Sequence, residues 1–146
     1  KYEGIEFVDS PEKADEILIW LFPGSGGSFL FGSQGNPIEL ALSKNSIDIN
    51  YLNSIKALGK PVSIAINYTS PWILEEIELP KGLIATFNVS NEALIDVVLG
   101  KFNPVGKMPF TIPASTEQVL KNQSDVPGYL KPKGYGLFLK GEGLNY

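Results

Sequence analysis

The chain contains no cysteine, no histidine and no arginine. Without thiols there is no disulfide framework, no thiolate nucleophile and no zinc–sulfur site. Without histidine the commonest neutral-pH proton shuttle is missing, along with the usual nitrogen ligand for metals. All 12 basic residues are lysines, set against 16 carboxylates for a net charge of −4. Nucleic acid and anionic membranes require clustered Lys and Arg, and this balance argues against both as partners. No apolar run approaches the ~18 residues of a membrane span. Scattered carboxylates are the only support for a metal, so no cofactor is expected.

What remains is an ordinary globular composition. At 146 residues, 43% hydrophobic and 19% charged, the chain is long enough for one domain (1–146) with a real core, but not for two. Gly4-Ile5-Glu6-Phe7-Val8 alternates briefly, as an edge strand would. Ser10-Pro11 places a cap before proline and predicts a short helix. Ile17 to Phe22 is a continuous apolar run stopped by Pro23-Gly24, the pattern of a parallel strand buried on both faces. Asp48 caps a predicted helix running to Gly59, with Ile49, Leu52, Ile55 and Leu58 on one side. Val62–Asn67 and Leu83–Asn88 read as further strands, with a short helix Trp72–Ile77 between them. Ser115 caps a helix over Thr116–Lys121. Strand and helix alternating at this spacing predict an α/β fold, a three-layer sandwich with a mostly parallel sheet, flavodoxin- or Rossmann-like.

The most informative stretch is Ser90 to Pro113. Ser90 is an N-cap, and Glu92 sits where the helix dipole favours negative charge. Leu94, Ile95, Val98 and Leu99 make that helix apolar on nearly every side, so it is expected to be buried. Gly100 supplies the C′ position and Pro104 stops the helix from resuming. Gly100-Lys101-Phe102-Asn103-Pro104-Val105-Gly106-Lys107-Met108-Pro109-Phe110-Thr111-Ile112-Pro113 resembles the G-x-x-N-P-S-G-K-L-P-x-T-x-P signature of the glycoside hydrolase family 3 C-terminal domain. It departs only at Val105 and Met108. Ala14–Ile19, Gly59–Ile66, Ser90–Gly100, Asp125-Val126-Pro127 and Gly141–Tyr146 are similar to further family elements, in the same order. Against that pattern, the strand and helix that open the family's domain are absent upstream of Gly4, so the chain looks like part of a longer or split protein.

The resemblance implies a β-glucosidase-like activity, retaining hydrolysis of β-linked glycosides. Such chemistry requires one carboxylate that attacks and one carboxylic acid that protonates the leaving oxygen. In the family the nucleophile lies in an N-terminal barrel domain, and the acid is a Glu on a loop of the C-terminal domain. The matching loop here, Pro23 to Pro37, carries no Asp or Glu. Ser25-Gly26-Gly27-Ser28 stands where the family shows S-G-E-G, and serine is no proton donor near neutral pH. No catalytic residue is therefore assigned, and the chain alone is expected to be inactive. Ser25, Gly26, Gly27, Ser28, Phe29 and Gln34 are the candidate substrate-binding residues, with Phe31 as a further stacking face. A plain surface loop fits them equally well.

Other candidates each carry a bland reading. Glu39 and Glu142 read better as solvated carboxylates than as acids, and Glu75, Glu76 and Glu78 as an exposed helix end. Trp72 fits the core better than a sugar platform. Asn67 and Asn88 either bond a sugar or cap the turns beneath them. Asn67, Asn88 and Asn122 also stand in N-x-S/T sequons, a pattern that chance in an Asn-rich sequence explains better than glycosylation. The favoured reading is a domain that works only with a barrel on the same or a partner chain, on a β-linked oligosaccharide or glycoside. A secreted or periplasmic setting is favoured over the cytoplasm, and a truncated sheet edge predicts a homodimer. The competing reading is a degenerate carbohydrate-binding or structural module. A nucleotide-binding domain is the weakest, since no turn carries G-x-G-x-x-G.

Overall fold

The computed structural model describes residues 2–24, 39–122 and 134–144. Its centre is a three-stranded parallel sheet, in the order β1 (Ile17–Leu21), β2 (Val62–Asn67), β3 (Gly82–Thr86). Ile19 pairs with Ile64, which pairs with Leu83, and one step on Trp20, Ala65 and Ile84 lie side by side. Successive residues alternate faces. Ile19, Leu21, Ile64, Ile66, Leu83 and Ala85 therefore share one face, and all belong to one hydrophobic core. Leu18, Trp20, Ala65, Ile84 and Thr86 share the other.

Three helices begin at residues whose side chains cap them. In α1 (Ile49–Lys56), Asp48 accepts from the Tyr51 amide at 3.0 Å, and Leu52 and Ile55 are buried. Leu58 lies past the helix end and is exposed, so the predicted stripe is one residue too long. In α2 (Asn91–Val98), Ser90 Oγ accepts from the Ala93 amide at 3.2 Å. The backbone amide of Glu92 itself, and secondarily the Ser90 hydroxyl, hold the Glu92 carboxyl below its ordinary pKa. Gly100 closes α2 at φ +67, with its amide on the Val97 carbonyl and the Lys101 amide on that of Asp96. That pair of bonds is the Schellman arrangement, which needs a left-handed residue at the glycine. Only Leu94 of α2 is fully buried. The expectation of burial all round is therefore corrected: Ile95, Val98 and Leu99 are half-covered among the described residues.

The helix predicted over Trp72–Ile77 does not form. Trp72, Ile73 and Leu74 are consecutive and all buried, and one face of a helix cannot bury three residues in a row. The chain runs extended there instead, and the Ile73 amide donates to the Leu40 carbonyl at 2.9 Å. The strand predicted over Gly4–Val8 is also absent. Gly4 turns the chain at φ +77, no described strand pairs with the segment, and Phe7 is exposed. The proline-led helix at residue 11 is a single 3-10 turn, Pro11–Lys13.

The acidic run is not an idle exposed end. Glu76 accepts from both the amide and the hydroxyl of Ser43, and Glu78 pairs with Lys56. Glu75 accepts from the Thr116 amide at 3.0 Å and from its hydroxyl, at the start of α3 (Thr116–Lys121). Glu75→Ala is expected to lower the unfolding free energy by about 1 kcal/mol, measured in urea, through loss of these two bonds. An unchanged urea midpoint would count against the tie.

The signature segment ends in β4 (Ile112–Pro113), which pairs antiparallel with β5 (Gly136–Phe138). Around this pair the Met108 amide donates to the Glu142 carbonyl at 2.7 Å, and the Gly141 amide to the Met108 carbonyl at 2.8 Å. Lys107 Nζ reaches the Gly143 carbonyl at 2.5 Å. A side chain at Gly143 would begin 2.7 Å from the Gly106 carbonyl oxygen, too close for any residue but glycine. The two motifs that carried the family resemblance are therefore packed directly together.

Candidate functional site

In open parallel sheets ligands bind beyond the carboxyl ends of the strands. Here those ends are Phe22-Pro23-Gly24, Asn67-Tyr68 and Phe87-Asn88. The six candidate residues Ser25, Gly26, Gly27, Ser28, Phe29 and Gln34 lie outside the described residues, as does Phe31. The chain on either side of them converges on Asn45. The Asn45 carbonyl accepts from the Gly24 amide at 3.0 Å, and its side-chain Nδ2 donates to the carbonyls of Glu39 (3.0 Å) and Ala41 (2.7 Å). Asn45 is 3% exposed, and burial without those bonds would be costly.

Asn67 and Asn88 are engaged with each other. Asn67 Oδ1 accepts from the Asn88 amide at 2.7 Å, and Asn67 Nδ2 donates to Asn88 Oδ1 at 2.9 Å. This clasp holds Asn88 at φ +54, in the left-handed region that asparagine tolerates better than most residues. Beneath it the Thr86 hydroxyl lies 3.4 Å from Asn67 Oδ1 and 3.2 Å from the Ile66 carbonyl. The Trp20 indole donates to that hydroxyl at 3.1 Å, reaching from β1 across the small Ala65 to β3. Of the two readings made from sequence, these bonds give the pair a structural role: Asn67 is 4% exposed, while Asn88 is open to solvent. The same burial closes the Asn67 sequon to modification in the folded chain.

Aromatic rings flank the clasp on both faces. Phe22 is 54% exposed and its ring lies 4.7 Å from that of Trp20. On the core side Tyr68, Phe87 and Phe110 form a triangle with ring centroids 6.1 Å apart. Burial pushes the Tyr68 phenol well above its usual pKa, so it stays neutral and is no base. Trp20 and Phe22 escaped the sequence reading because they looked like the tail of a buried strand. The available signal was a bulky aromatic just past the last residue that pairs.

Of the two carboxylates weighed as acids, one is committed to a turn and the other is exposed. Glu142 accepts from the Leu139 amide at 2.7 Å and so closes the turn after β5. Glu39 is exposed. No group of three or more potential metal ligands occurs among the described residues. Trp72 is 1% exposed, a core residue as expected, with its indole donating to the Asn67 carbonyl at 3.2 Å.

The family model described as the glycosyl hydrolase family 3 C-terminal domain matches residues 34–146. The chain belongs to that family. This glycosyl hydrolase family 3 C-terminal domain is 29% identical over 143 residues to the periplasmic beta-glucosidase/beta-xylosidase of Dickeya chrysanthemi, covering 92% of the chain and 22% of that protein. It is 28% identical over 119 residues to beta-glucosidase cel3A of Pyricularia oryzae, covering 76% of the chain and 16% of that protein. It is 25% identical over 118 residues to the periplasmic beta-glucosidase of Salmonella typhimurium, covering 78% of the chain and 15% of that protein. The family 3 domain thus spans less than a quarter of the length of these curated relatives. Its parallel sheet with flanking helices agrees with the α/β fold of that family's domain, and no described helix is long and apolar enough to cross a membrane.

Proposed function

We propose that this domain completes an enzyme hydrolysing β-linked glycosides, with the nucleophile carried on a barrel domain outside these residues. The observation that carries the reading is the family match over 34–146, combined with relatives named as β-glucosidases of which the chain covers less than a quarter. The Ser25–Gln34 loop, following the carboxyl end of β1, is assigned to the rim of the sugar site. Backbone amides, Ser25, Ser28 and Gln34 supply hydrogen bonds there, and Phe29 supplies a stacking face. The acid that protonates the leaving oxygen comes from outside Pro23–Pro37, since no side chain in that stretch can do it. Two of the relatives are named periplasmic, which favours an extracytoplasmic setting here. A homodimer paired through an open sheet edge is also proposed, and a monomeric mass in solution would remove it.

The test compares the protein containing the barrel with residues 1–146 alone, on aryl β-glucosides and β-xylosides. Release of the aryl group is expected from the former and none above blank from the latter. Hydrolysis by 1–146 alone would overturn the dependence on a second domain; no hydrolysis by either would favour a binding or structural module. That second reading has one specific observation behind it, the missing carboxylate between Pro23 and Pro37.

A further inference from the structure

The three N-x-S/T sequons look alike in sequence, and the structure separates them by what each carboxamide nitrogen is doing. Asn67 is buried, and its Nδ2 donates to Asn88 Oδ1 at 2.9 Å. Asn122 ends α3, where its Nδ2 donates to the Gln118 carbonyl at 2.6 Å. A glycan on either nitrogen would compete with the bonded oxygen for the space around it. Asn88 differs. Its Oδ1 accepts from Asn67 and its backbone amide donates to Asn67 Oδ1, so its Nδ2 is the one hydrogen-bonding atom of the side chain not bonded to any described residue. The residue is exposed, as are Val89 and Ser90, the rest of its sequon. A substituent on Asn88 Nδ2 therefore breaks no bond, and the anchored oxygen fixes the point from which it leaves.

We infer that Asn88 is an N-glycosylation site. In that reaction Nδ2 forms a bond to the anomeric carbon of an oligosaccharide carried on a polyprenyl diphosphate. The bond from that carbon to the diphosphate oxygen breaks, the lipid diphosphate leaves with the electron pair, and the proton shed by Nδ2 passes to solvent. The position suits a bulky, hydrophilic group: Asn88 is the second residue past β3, in a turn at φ +54, between the exposed side chains of Phe87 and Val89. A glycan rooted there shields both apolar neighbours. It also stands on β3, the far side of β2 from the strand that leads into Ser25–Gln34. Transfer to a nascent chain precedes folding, so the folded structure decides which modified chains persist, and a glycan on Asn67 would hold the Asn67–Asn88 clasp open. The inference rests on the extracytoplasmic setting proposed above, where such transfer takes place.

The test uses the whole protein recovered from the organism that makes it. Enzymatic release of N-glycans in heavy-oxygen water turns each glycosylated Asn into a labelled Asp, and trypsin places Asn88 in a peptide, 82–101, separate from Asn67. Label is expected at Asn88, none at Asn67, and none at Asn88 when the releasing enzyme is omitted. Ser90→Asp keeps a capping oxygen for α2 but destroys the sequon, so it should lose the Asn88 label entirely with unchanged helix content by circular dichroism. Ser90→Thr keeps both cap and sequon and should retain the label. An unlabelled Asn88, label at Asn67, or an Asn88 label that survives Ser90→Asp would each overturn the assignment. An unmodified Asn88 in a protein that hydrolyses aryl β-glucosides would remove the site and leave the enzymatic reading standing. A labelled Asn88 in a protein without hydrolysis would do the reverse.

Discussion

Trp72→Ala is expected to be the most damaging single truncation in the chain, lowering the unfolding free energy by about 3–5 kcal/mol. The indole is 1% exposed and belongs to the cluster of Leu21, Ile64, Ile66, Leu74 and Ile112. Removing it leaves a large cavity at the point where the extended segment after β2 meets the sheet. It also removes the donor to the Asn67 carbonyl, a backbone acceptor in a buried setting. Since domains of this size are typically stable by only about 5–15 kcal/mol, the variant should be largely unfolded at moderate urea. Trp72→Phe separates the two contributions. It retains most of the ring volume and drops the hydrogen bond, so a smaller loss of about 1–2 kcal/mol is expected. Urea titrations followed by circular dichroism read both; equal losses for Ala and Phe would show that volume is not the main cause.

The second large effect is expected at Asn67. Replacing it with leucine keeps the volume but removes Oδ1, which accepts from the Asn88 amide, and Nδ2, which donates to Asn88. The Asn88 amide then loses its partner while its backbone remains left-handed at φ +54. Together these should cost about 2–4 kcal/mol. Asn88→Gly is the informative companion. Glycine takes a positive φ without strain, and the retained backbone amide can still donate to Asn67, so a change within about 1 kcal/mol is expected. The two substitutions share a network, so their combined cost should fall short of the sum. Strict additivity in a double-mutant cycle would show that the clasp does not exist in solution.

The parts of the fold that could be read from sequence are those decided locally. Asp48, Ser90 and Ser115 each announce a helix by their own side-chain oxygens, and each accepts the amide three residues on. Val62–Asn67 is apolar enough and short enough to be read as a strand to the residue. The failures occur where tertiary contacts outvote local pattern. Ser-Pro before Trp72 has the chemistry of a helix start, yet burial of three successive side chains keeps the segment extended. Gly4–Val8 alternates like a strand and finds no described partner. Glu75 and Glu76 looked solvated because nothing in their own neighbourhood reveals Thr116 or Ser43, which lie 41 and 33 residues away in sequence. Much the same holds at the candidate site. Asn67 and Asn88 were visible as polar residues at strand ends, but their mutual bonding depends on β2 and β3 pairing in register. Phe22 and Trp20 gain meaning only once Thr86 is placed beside them.

The clasp between Gly106–Pro113 and Gly136–Gly143 has a consequence for how the protein comes into being. Every bond in it joins a signature residue to one synthesised some thirty positions later, whereas the parallel sheet needs nothing beyond Thr86. During translation β1, β2 and β3 can pair while β4 still has no partner. A nascent chain halted before Gly136 would expose the buried faces of Ile112 and Pro113 to solvent and to other chains. The most recognisable stretch of the sequence can therefore take its final pairing only after Gly136–Gly143 has been made, later than the parallel sheet can take its own.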